Sequence, residues 1–152
     1  MESILKSISY ILSPKANEIL LLVAVIFALV SGCVLGFLFE LQDFLAFPLD
    51  VWPVLISLAC FAFGFTFFGY GATIASIFIG IQLGTMFKIS TFSSTFLLSL
   101  SCFLMLYASI RLGQALYDDL EERGNFKVAF SGFKILFILA LLLALIVQFF
   151  TI

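Results

Sequence analysis

Four stretches of the chain carry no charged residue, and these stretches set the predicted architecture. They cover residues 19–39, 51–87, 89–110 and 135–152. A membrane-crossing helix needs about 20 mostly apolar residues to pass through roughly 30 Å of hydrocarbon. The apolar runs do not alternate with polar residues, as barrel strands would. Since the backbone in lipid must satisfy its own hydrogen bonds, the pattern predicts an all-α, polytopic membrane helix bundle, with residues 1–152 as one integral membrane domain.

The stretch over residues 51–87 is too long for one crossing. As a single helix it would measure about 56 Å at 1.5 Å per residue. The sequence Gly69-Tyr70-Gly71 lies near its middle and is typical of a turn. The pattern therefore predicts three full spans plus a hairpin over 53–88, with arms at about 53–68 and 72–88. The hairpin is either two short spans or a re-entrant loop.

The basic residues favour a hairpin that enters the membrane and returns. Cytoplasmic loops are enriched in Lys and Arg. With a returning hairpin, Lys88 lies alone on one side and the rest of the seven basic residues share the other: Lys6, Lys15, Arg111, Arg123, Lys127 and Lys134. A single crossing would split them almost evenly. We therefore predict a plasma-membrane protein with a cytoplasmic N-terminus, an external acidic 40–50 loop, a cytoplasmic 111–134 loop and an external C-terminus.

Residues 1–13 are predicted to form an amphipathic helix on the membrane surface. Apolar residues recur there at helical spacing, opposite Lys6 and several serines. A frayed terminus is the alternative. We expect Asn17 to cap the first span, over about 17–39. The side chain of Arg111 is expected to extend toward lipid head groups.

Small residues spaced four apart mark the predicted helix contacts. One pair lies in the first span and a longer stripe lies in the second arm of the hairpin: Gly32 and Gly36, then Ala72, Ser76, Gly80 and Gly84. Helices in lipid associate through close packing at small residues. We therefore predict a tight helix–helix contact, either within one chain or across a homo-oligomer.

Uncharged polar side chains in the spans have two interpretations. They are Gln82, Thr85, Thr91, Thr95, Ser99 and Gln148. Hydroxyl groups in helices often bond to the preceding turn of their own backbone, which favours a packing role. The alternative is a polar pathway through the bundle.

The segment around residues 114–134 is the only extended charged part of the chain. We predict a cytoplasmic amphipathic helix over 114–123, ended by Gly124 and Asn125. Its charged side would dock a cytoplasmic partner, through Asp118, Asp119, Glu121, Glu122 and Arg123. A solvated connector is the alternative.

The composition excludes several classes of function. The chain is 64% hydrophobic and 11% charged, and a body of this size cannot hide so much apolar surface from water. A soluble globular protein and a nucleic-acid binder are therefore excluded. His is absent, the three cysteines are isolated, and the predicted spans contain no carboxylate pair. We expect no enzymatic activity, no catalytic residue, no metal and no cofactor, with bound lipid as the only expected ligand.

Two segments of the second half carry a family resemblance. They are Arg111-Leu112-Gly113-Gln114-Ala115-Leu116, which follows the hydroxyl-rich span, and the closing sequence Gln148-Phe149-Phe150-Thr151-Ile152. In these features residues 70–152 resemble the stage II sporulation protein M family, although Gln148 stands where that family often has a glutamate. Members in sporulating bacteria act as membrane scaffolds for cell-wall remodelling hydrolases, and some relatives are described as permease-like. The resemblance implies a similar topology and no catalytic residues.

Two functional hypotheses follow from the sequence. The first is a non-enzymatic scaffold or accessory subunit of a membrane complex, as a homo-oligomer or with other membrane proteins. The second is a transport subunit or small permease or channel for a small solute, driven by a partner ATPase. The split 53–88 segment motivates this second hypothesis, because broken helices often surround substrate sites.

Overall fold

A computed structural model of the chain describes residues 2–39, 52–89, 92–121 and 126–150. Within these ranges it contains no strand, and the predicted helical bundle is confirmed. The helices are α1 (Glu2–Leu12), α2 (Ala16–Phe39), α3 (Trp52–Phe65) with a 3-10 continuation (Thr66–Gly69), α4 (Gly71–Ile89), α5 (Phe92–Leu120) and α6 (Phe126–Phe150). The 40–50 loop, Thr91, Glu122 and Arg123 lie outside the described residues.

Four of the described helices, α2, α4, α5 and α6, are long and apolar enough to cross a membrane. The remaining apolar segment, Pro53–Gly69, is shorter. Its 14 α-helical residues span about 21 Å at 1.5 Å per residue. This length is less than the roughly 30 Å of a hydrocarbon core, and the residues that follow, Thr66–Gly69, belong to the turn.

The turn between α3 and α4, residues 66–70, is called the hairpin tip below, and its position distinguishes two spans from a re-entrant loop. The Gln114 side-chain amide donates to the carbonyl oxygen of Phe68 at 2.8 Å. Gln114 lies one helical turn beyond Arg111, which forms an ion pair with Glu18 in the first turn of α2. The hairpin tip therefore reaches the end of the bundle at which α2 begins, as two spans would.

The contacts between helices give their relative directions. Gly32 of α2 faces Gly80 of α4, and Gly36 faces Ile81 further along, so α2 and α4 run parallel. Helices α3 and α5 also run parallel, because Ser57 meets Ser101 and Gly69 meets Ile110. Helix α6 packs on α5, and α1 lies against α6.

Helix α5 is the centre of the bundle, and contacts α2, α3, α4 and α6. Its inward side chains are completely buried and include Leu98, Cys102, Met105, Leu106 and Ile110. By contrast, α2 and α6 each expose large apolar side chains along one side. An apolar surface of this extent requires a lipid environment or a partner, in agreement with the composition.

Three helices are joined by one buried hydroxyl. The Ser101 hydroxyl of α5 donates to the Ala140 carbonyl of α6 at 2.7 Å. It also lies 2.5 Å from the Ser57 hydroxyl of α3. Because Ser101 has a single proton and uses it toward α6, Ser57 is the donor of the second bond. Hydrogen bonds of this kind contribute about 0.6 kcal/mol each on average between membrane helices, so they fix orientation more than they supply stability.

The end of α5 differs from its prediction. The sequence predicted a separate amphipathic helix over 114–123, whereas α5 continues without a break to Leu120. Its 29 residues measure about 44 Å, which exceeds the hydrocarbon thickness. The physical reason is that Gly113, the residue most suited to a break, lies in a packed contact within the helix and not at its end.

Candidate functional site

The two sets of small residues pack against each other within one chain. A Cβ added at Gly32 would overlap the Ile77 carbonyl oxygen and lie 3.0 Å from the Cα of Gly80. A Cβ at Gly80 would overlap the Leu29 carbonyl oxygen in turn. Gly36 and Gly84 are equally close to the backbone of the opposite helix. Helices α2 and α4 therefore approach at backbone contact, and these glycines are already used inside the protomer.

The other members of the α4 stripe also face inward. Ala72 and Ser76 are fully buried, and the Ser76 hydroxyl donates to the Thr73 carbonyl at 2.8 Å. The stripe is thus a packing surface along its whole length.

The described residues of the predicted polar pathway lie on three helices, α4, α5 and α6. Two hydroxyls bond to their own helices: Thr85 donates to the Gln82 carbonyl at 2.7 Å, and Ser99 to the Thr95 carbonyl at 2.8 Å. Thr95 is buried, while Gln82 and Gln148 are half-buried on different helices.

A buried ion pair joins the start of α2 to α5. The Arg111 guanidinium donates to the Glu18 carboxylate, and both side chains are almost fully buried, at 4% and 2% exposure. The expectation that Arg111 reaches the head groups is therefore wrong. The reason is that Glu18 offers a full negative charge nearby, which holds the cation inside the bundle. Ionisable groups buried in a membrane protein are rare and often functional.

Arg111 also holds the last turn of α1. Its second terminal nitrogen donates to the Tyr10 carbonyl, and its guanidinium lies 4.0 Å from the centre of the Tyr10 ring. The Tyr107 hydroxyl donates to the next carbonyl, Ile11, at 2.6 Å. The last turn of a helix leaves its carbonyls without partners inside the helix, and the Tyr10 carbonyl also accepts a longer hydrogen bond from the Ser13 backbone amide, at 3.4 Å. Burial raises the pKa of the Tyr10 phenol, against the opposing effect of Arg111, so the ring stacks on the cation in its neutral form.

Glu18 has a second role at the start of α2. Its carboxylate accepts a hydrogen bond from the Lys15 backbone amide at 2.6 Å. This is half of a capping box, in which a Glu three residues into the helix satisfies the amide at the cap. The cap is therefore formed by Glu18 and not by Asn17, which is exposed. We call residues Tyr10–Glu18, together with Arg111 and Tyr107, the N-terminal corner.

The predicted docking residues lie just beyond this corner. Asp118 forms an ion pair with Lys15, which fixes the end of α5 against the connection between α1 and α2. Asp119 and Glu121 are exposed, as is Leu120. Arg111 to Leu120 covers about 14 Å of helix, so the acidic end of α5 extends beyond the ion pair.

The hairpin tip has an unusual backbone. Phe67 and Phe68 have φ values of 52° and 57°, and Gly69 has φ 97°. The left-handed region costs a residue with a side chain about 1–2 kcal/mol. Two contacts with α5 hold this conformation: the Gln114 bond to Phe68, and Gly113, where an added Cβ would lie 2.5 Å from the Phe68 carbonyl carbon. Strained backbone that is held in place often marks a functional element.

Phe67→Gly is expected to raise the free energy of unfolding by about 0.5–1 kcal/mol, because glycine adopts the left-handed region without a steric penalty. Phe67 is 78% exposed, so little packing is lost. The control is Phe63→Gly, a 65% exposed position in the regular part of α3, where replacing phenylalanine by glycine is expected to cost about 0.5 kcal/mol. Unfolding of both variants in detergent, titrated with sodium dodecyl sulfate, measures the difference. Equal losses in the two variants would show that the tip is not strained.

An apolar groove lies between α3 and α4 and is called the α3–α4 groove below. It has a volume of about 570 Å³ and is lined on both sides by apolar residues, including Ala59, Phe63, Phe67, Ala75 and Phe78, with Gln82 at one end. It exists because Ala59, Gly71 and Ala75 are small while the aromatic rings beside them are large. One end of the groove is at the hairpin tip, since Thr66, Phe67 and Gly71 contribute to the lining.

No group of three metal-ligating side chains occurs among the described residues. Comparison of the chain with protein-family models, with curated proteins and with solved structures finds no match in any of the three. The features of the described residues that bear on function are the N-terminal corner, the acidic end of α5 and the α3–α4 groove.

Sequence reasoning missed two of these features. A usable signal for the corner was present, because Lys15-Ala16-Asn17-Glu18 precedes an apolar run with a Glu three residues after the cap position. The pairing of Glu18 with Arg111 spans 93 residues, and no local pattern connects them. The groove depends on the angle between two helices, which the sequence does not encode locally.

Proposed function

We propose that the protein is a non-enzymatic membrane protein that acts as a scaffold or accessory subunit of a membrane complex, with the acidic end of α5 as its docking element. The observation that carries this proposal is the extension of α5 beyond Arg111, with Asp119, Leu120 and Glu121 at its surface. The Lys15–Asp118 pair holds this extension against the bundle. A fixed acidic helix end suits a partner with a basic surface, since complementary charge steers association.

The basic residues support a cytoplasmic location for this docking element. Lys6, Lys15, Arg111 and Lys127 lie on elements that meet at the end of the bundle where α2 begins, whereas Lys88 ends α4 near Phe37, at the opposite end. Cytoplasmic ends of membrane proteins are enriched in such residues. This distribution supports the proposal that the N-terminus and the end of α5 are cytoplasmic and that the C-terminus lies outside a plasma membrane.

The stage II sporulation protein M resemblance implies the same class of role. Arg111, Gly113 and Gln114, which belong to the motif behind that resemblance, contact α1, α2 and the hairpin tip. This stretch thus holds three elements of the protein in place, which supports a structural role for the motif.

Transport of a small solute, driven by a partner ATPase, is the second hypothesis, and it has less support. A pathway needs polar groups that face one continuous cavity, whereas Thr85 and Ser99 bond to their own helices. The α3–α4 groove is lined almost entirely by apolar side chains.

The docking role is tested by the charge of Asp119. In membranes solubilised in mild detergent, we expect the protein in a complex larger than one chain. Asp119→Lys should reduce the amount of that complex at least about fivefold, because one charge is reversed at the contact. A photoreactive amino acid at position 119 should crosslink to protein. The control position is Leu142, which is 52% exposed on α6 and should crosslink to lipid. An isolated chain with no crosslinked protein at position 119 would refute the docking role.

A further inference from the structure

We propose that the α3–α4 groove is a binding site for one acyl chain of a membrane phospholipid, from the leaflet on the side of the hairpin tip. This site is separate from the acidic end of α5, so the lipid site and the docking role are tested independently. The proposal depends on the length, width and lining of the groove and on the residues at its two ends.

The length of the groove corresponds to one leaflet. It extends along α4 from Gly71 to Gln82, which is about 17 Å at 1.5 Å per residue. Half of a hydrocarbon core is about 15 Å. The groove therefore begins at the hairpin tip, at one surface of the membrane, and ends near the midplane. A transmembrane helix of a partner would need a contact surface on both halves of the membrane.

The groove is also too narrow for a helix to lie inside it. A helix with its side chains has a diameter of about 10 Å or more and a cross-section of roughly 80 Å². A volume of about 570 Å³ over a length of about 17 Å gives the groove a mean cross-section of roughly 34 Å². An alkyl chain, whose carbons pack about 4 Å from their neighbours, is narrow enough to lie along the groove.

The chemistry of the lining matches an alkyl chain. Apart from Thr66 and Gln82 the side chains along the groove are hydrocarbon or aromatic, and the Thr66 hydroxyl donates to the Phe63 carbonyl at 2.6 Å. Apolar pockets with few polar groups at an end are the usual form of a small-ligand site. Phe63 and Phe78, both more than half exposed, form walls that would contact the chain on two sides.

The tip end of the groove is suited to a head group. Tyr70, which lies in the hairpin tip beside the lining residue Gly71, is 56% exposed. Tyrosine is enriched where membrane meets water, because its ring is apolar and its hydroxyl forms hydrogen bonds. A lipid with its chain in the groove would therefore have its polar end at a surface that already carries a suitable side chain. The fixed backbone of the hairpin tip keeps the Phe67 ring at this entrance.

Tryptophan quenching by phospholipids with brominated acyl chains tests the proposal. Because Trp52 is the only tryptophan, Trp52→Phe gives a clean background for two reporters. Phe78→Trp places a reporter in the groove. Phe27→Trp places one on the lipid-facing side of α2, where Phe27 is 76% exposed. Because Gly32 faces Gly80 in the parallel pair, Phe27 of α2 is level with the residue five positions before Gly80. Phe78 lies three residues further along α4, so the two reporters differ in depth by about 5 Å.

We expect the groove reporter to reach half of its maximum quenching at a mole fraction of brominated lipid at least threefold lower than the control reporter. Ala59→Phe, which fills the groove, should bring the groove reporter to the behaviour of the control. Ala62→Phe, at an exposed position outside the groove lining, should not. If Ala59→Phe fails to fold, the comparison of the two reporters alone still shows whether the groove binds lipid more tightly than the lipid-facing side of α2.

Two results would overturn the proposal. Identical quenching curves would mean that the groove is covered by bulk lipid without preference. A groove reporter that brominated lipid does not quench at all would mean that protein covers the groove, such as a second copy of this chain. Loss of the complex at Asp119→Lys would leave these curves unchanged, so failure of the docking role and failure of the lipid site give different results.

Discussion

Arg111→Met is expected to lower the free energy of unfolding by about 3–5 kcal/mol, because it leaves the Glu18 carboxylate buried without its cation. The same change removes the donor to the Tyr10 carbonyl, so the last turn of α1 loses a cap as well. Unfolding in detergent, followed by loss of helical circular dichroism, measures the change.

Two controls distinguish the cost of leaving a buried charge unpaired from the cost of losing an ion pair as such. The double variant Glu18→Leu, Arg111→Met should recover part of the loss, because replacing both members of a buried pair by apolar side chains is often neutral, while the caps that Glu18 and Arg111 provide for α2 and α1 stay lost. Lys15→Met removes the neighbouring pair with Asp118, in which Lys15 is 59% exposed, and should cost no more than about 1 kcal/mol. If Arg111→Met costs as little as Lys15→Met, the Glu18–Arg111 pair is not buried as described.

Gly80→Leu is expected to destabilise the folded chain by about 3 kcal/mol or more, at the upper end of what overpacking costs. Even one added carbon would overlap the Leu29 carbonyl oxygen, and backbone cannot move aside as a flexible side chain can. Helices α2 and α4 would have to separate along their length. The measurement is the same unfolding titration, together with the yield of protein that elutes as a single species.

The matched control for Gly80→Leu is Ala62→Leu, which adds a similar volume at an exposed position of α3 and should change stability by less than about 0.5 kcal/mol. The outcome also distinguishes the two predictions for the small-residue stripe, which were a contact within one chain and a contact across a homo-oligomer. Unchanged stability with loss of an oligomer would place the stripe between chains. Loss of stability in a monomer agrees with the contact inside the protomer.

The sequence predicts the spans of this protein well, because lipid imposes a strong local rule. A charge-free stretch of sufficient length must be a helix, and the turn at Gly69–Gly71 follows from a stretch too long to cross once. The start of α2 at Ala16 agrees with the predicted start at about residue 17, since Lys15 precedes its apolar run. Helix α6 begins at Phe126, nine residues before the charge-free stretch over 135–152.

The candidate sites are predicted less well, because they depend on residues far apart in the chain. Sequence reasoning gave Arg111 an environment of head groups, since basic residues near the end of a span usually reach water. Only the fold brings Glu18 beside it. Gly113 is a second example. Its lack of a side chain allows the hairpin tip to pack against α5, whereas in the sequence alone a glycine at this position resembles the end of a helix.

The Glu18–Arg111 pair has a consequence for the synthesis of the protein. A ribosome adds about 5–20 residues per second, so the 93 residues between the two partners take roughly 5–19 s to make. During that time α1 and the start of α2 exist without the cation that later holds them. Helix α1 and the start of α2 are therefore fixed against the bundle only after α5 has been made.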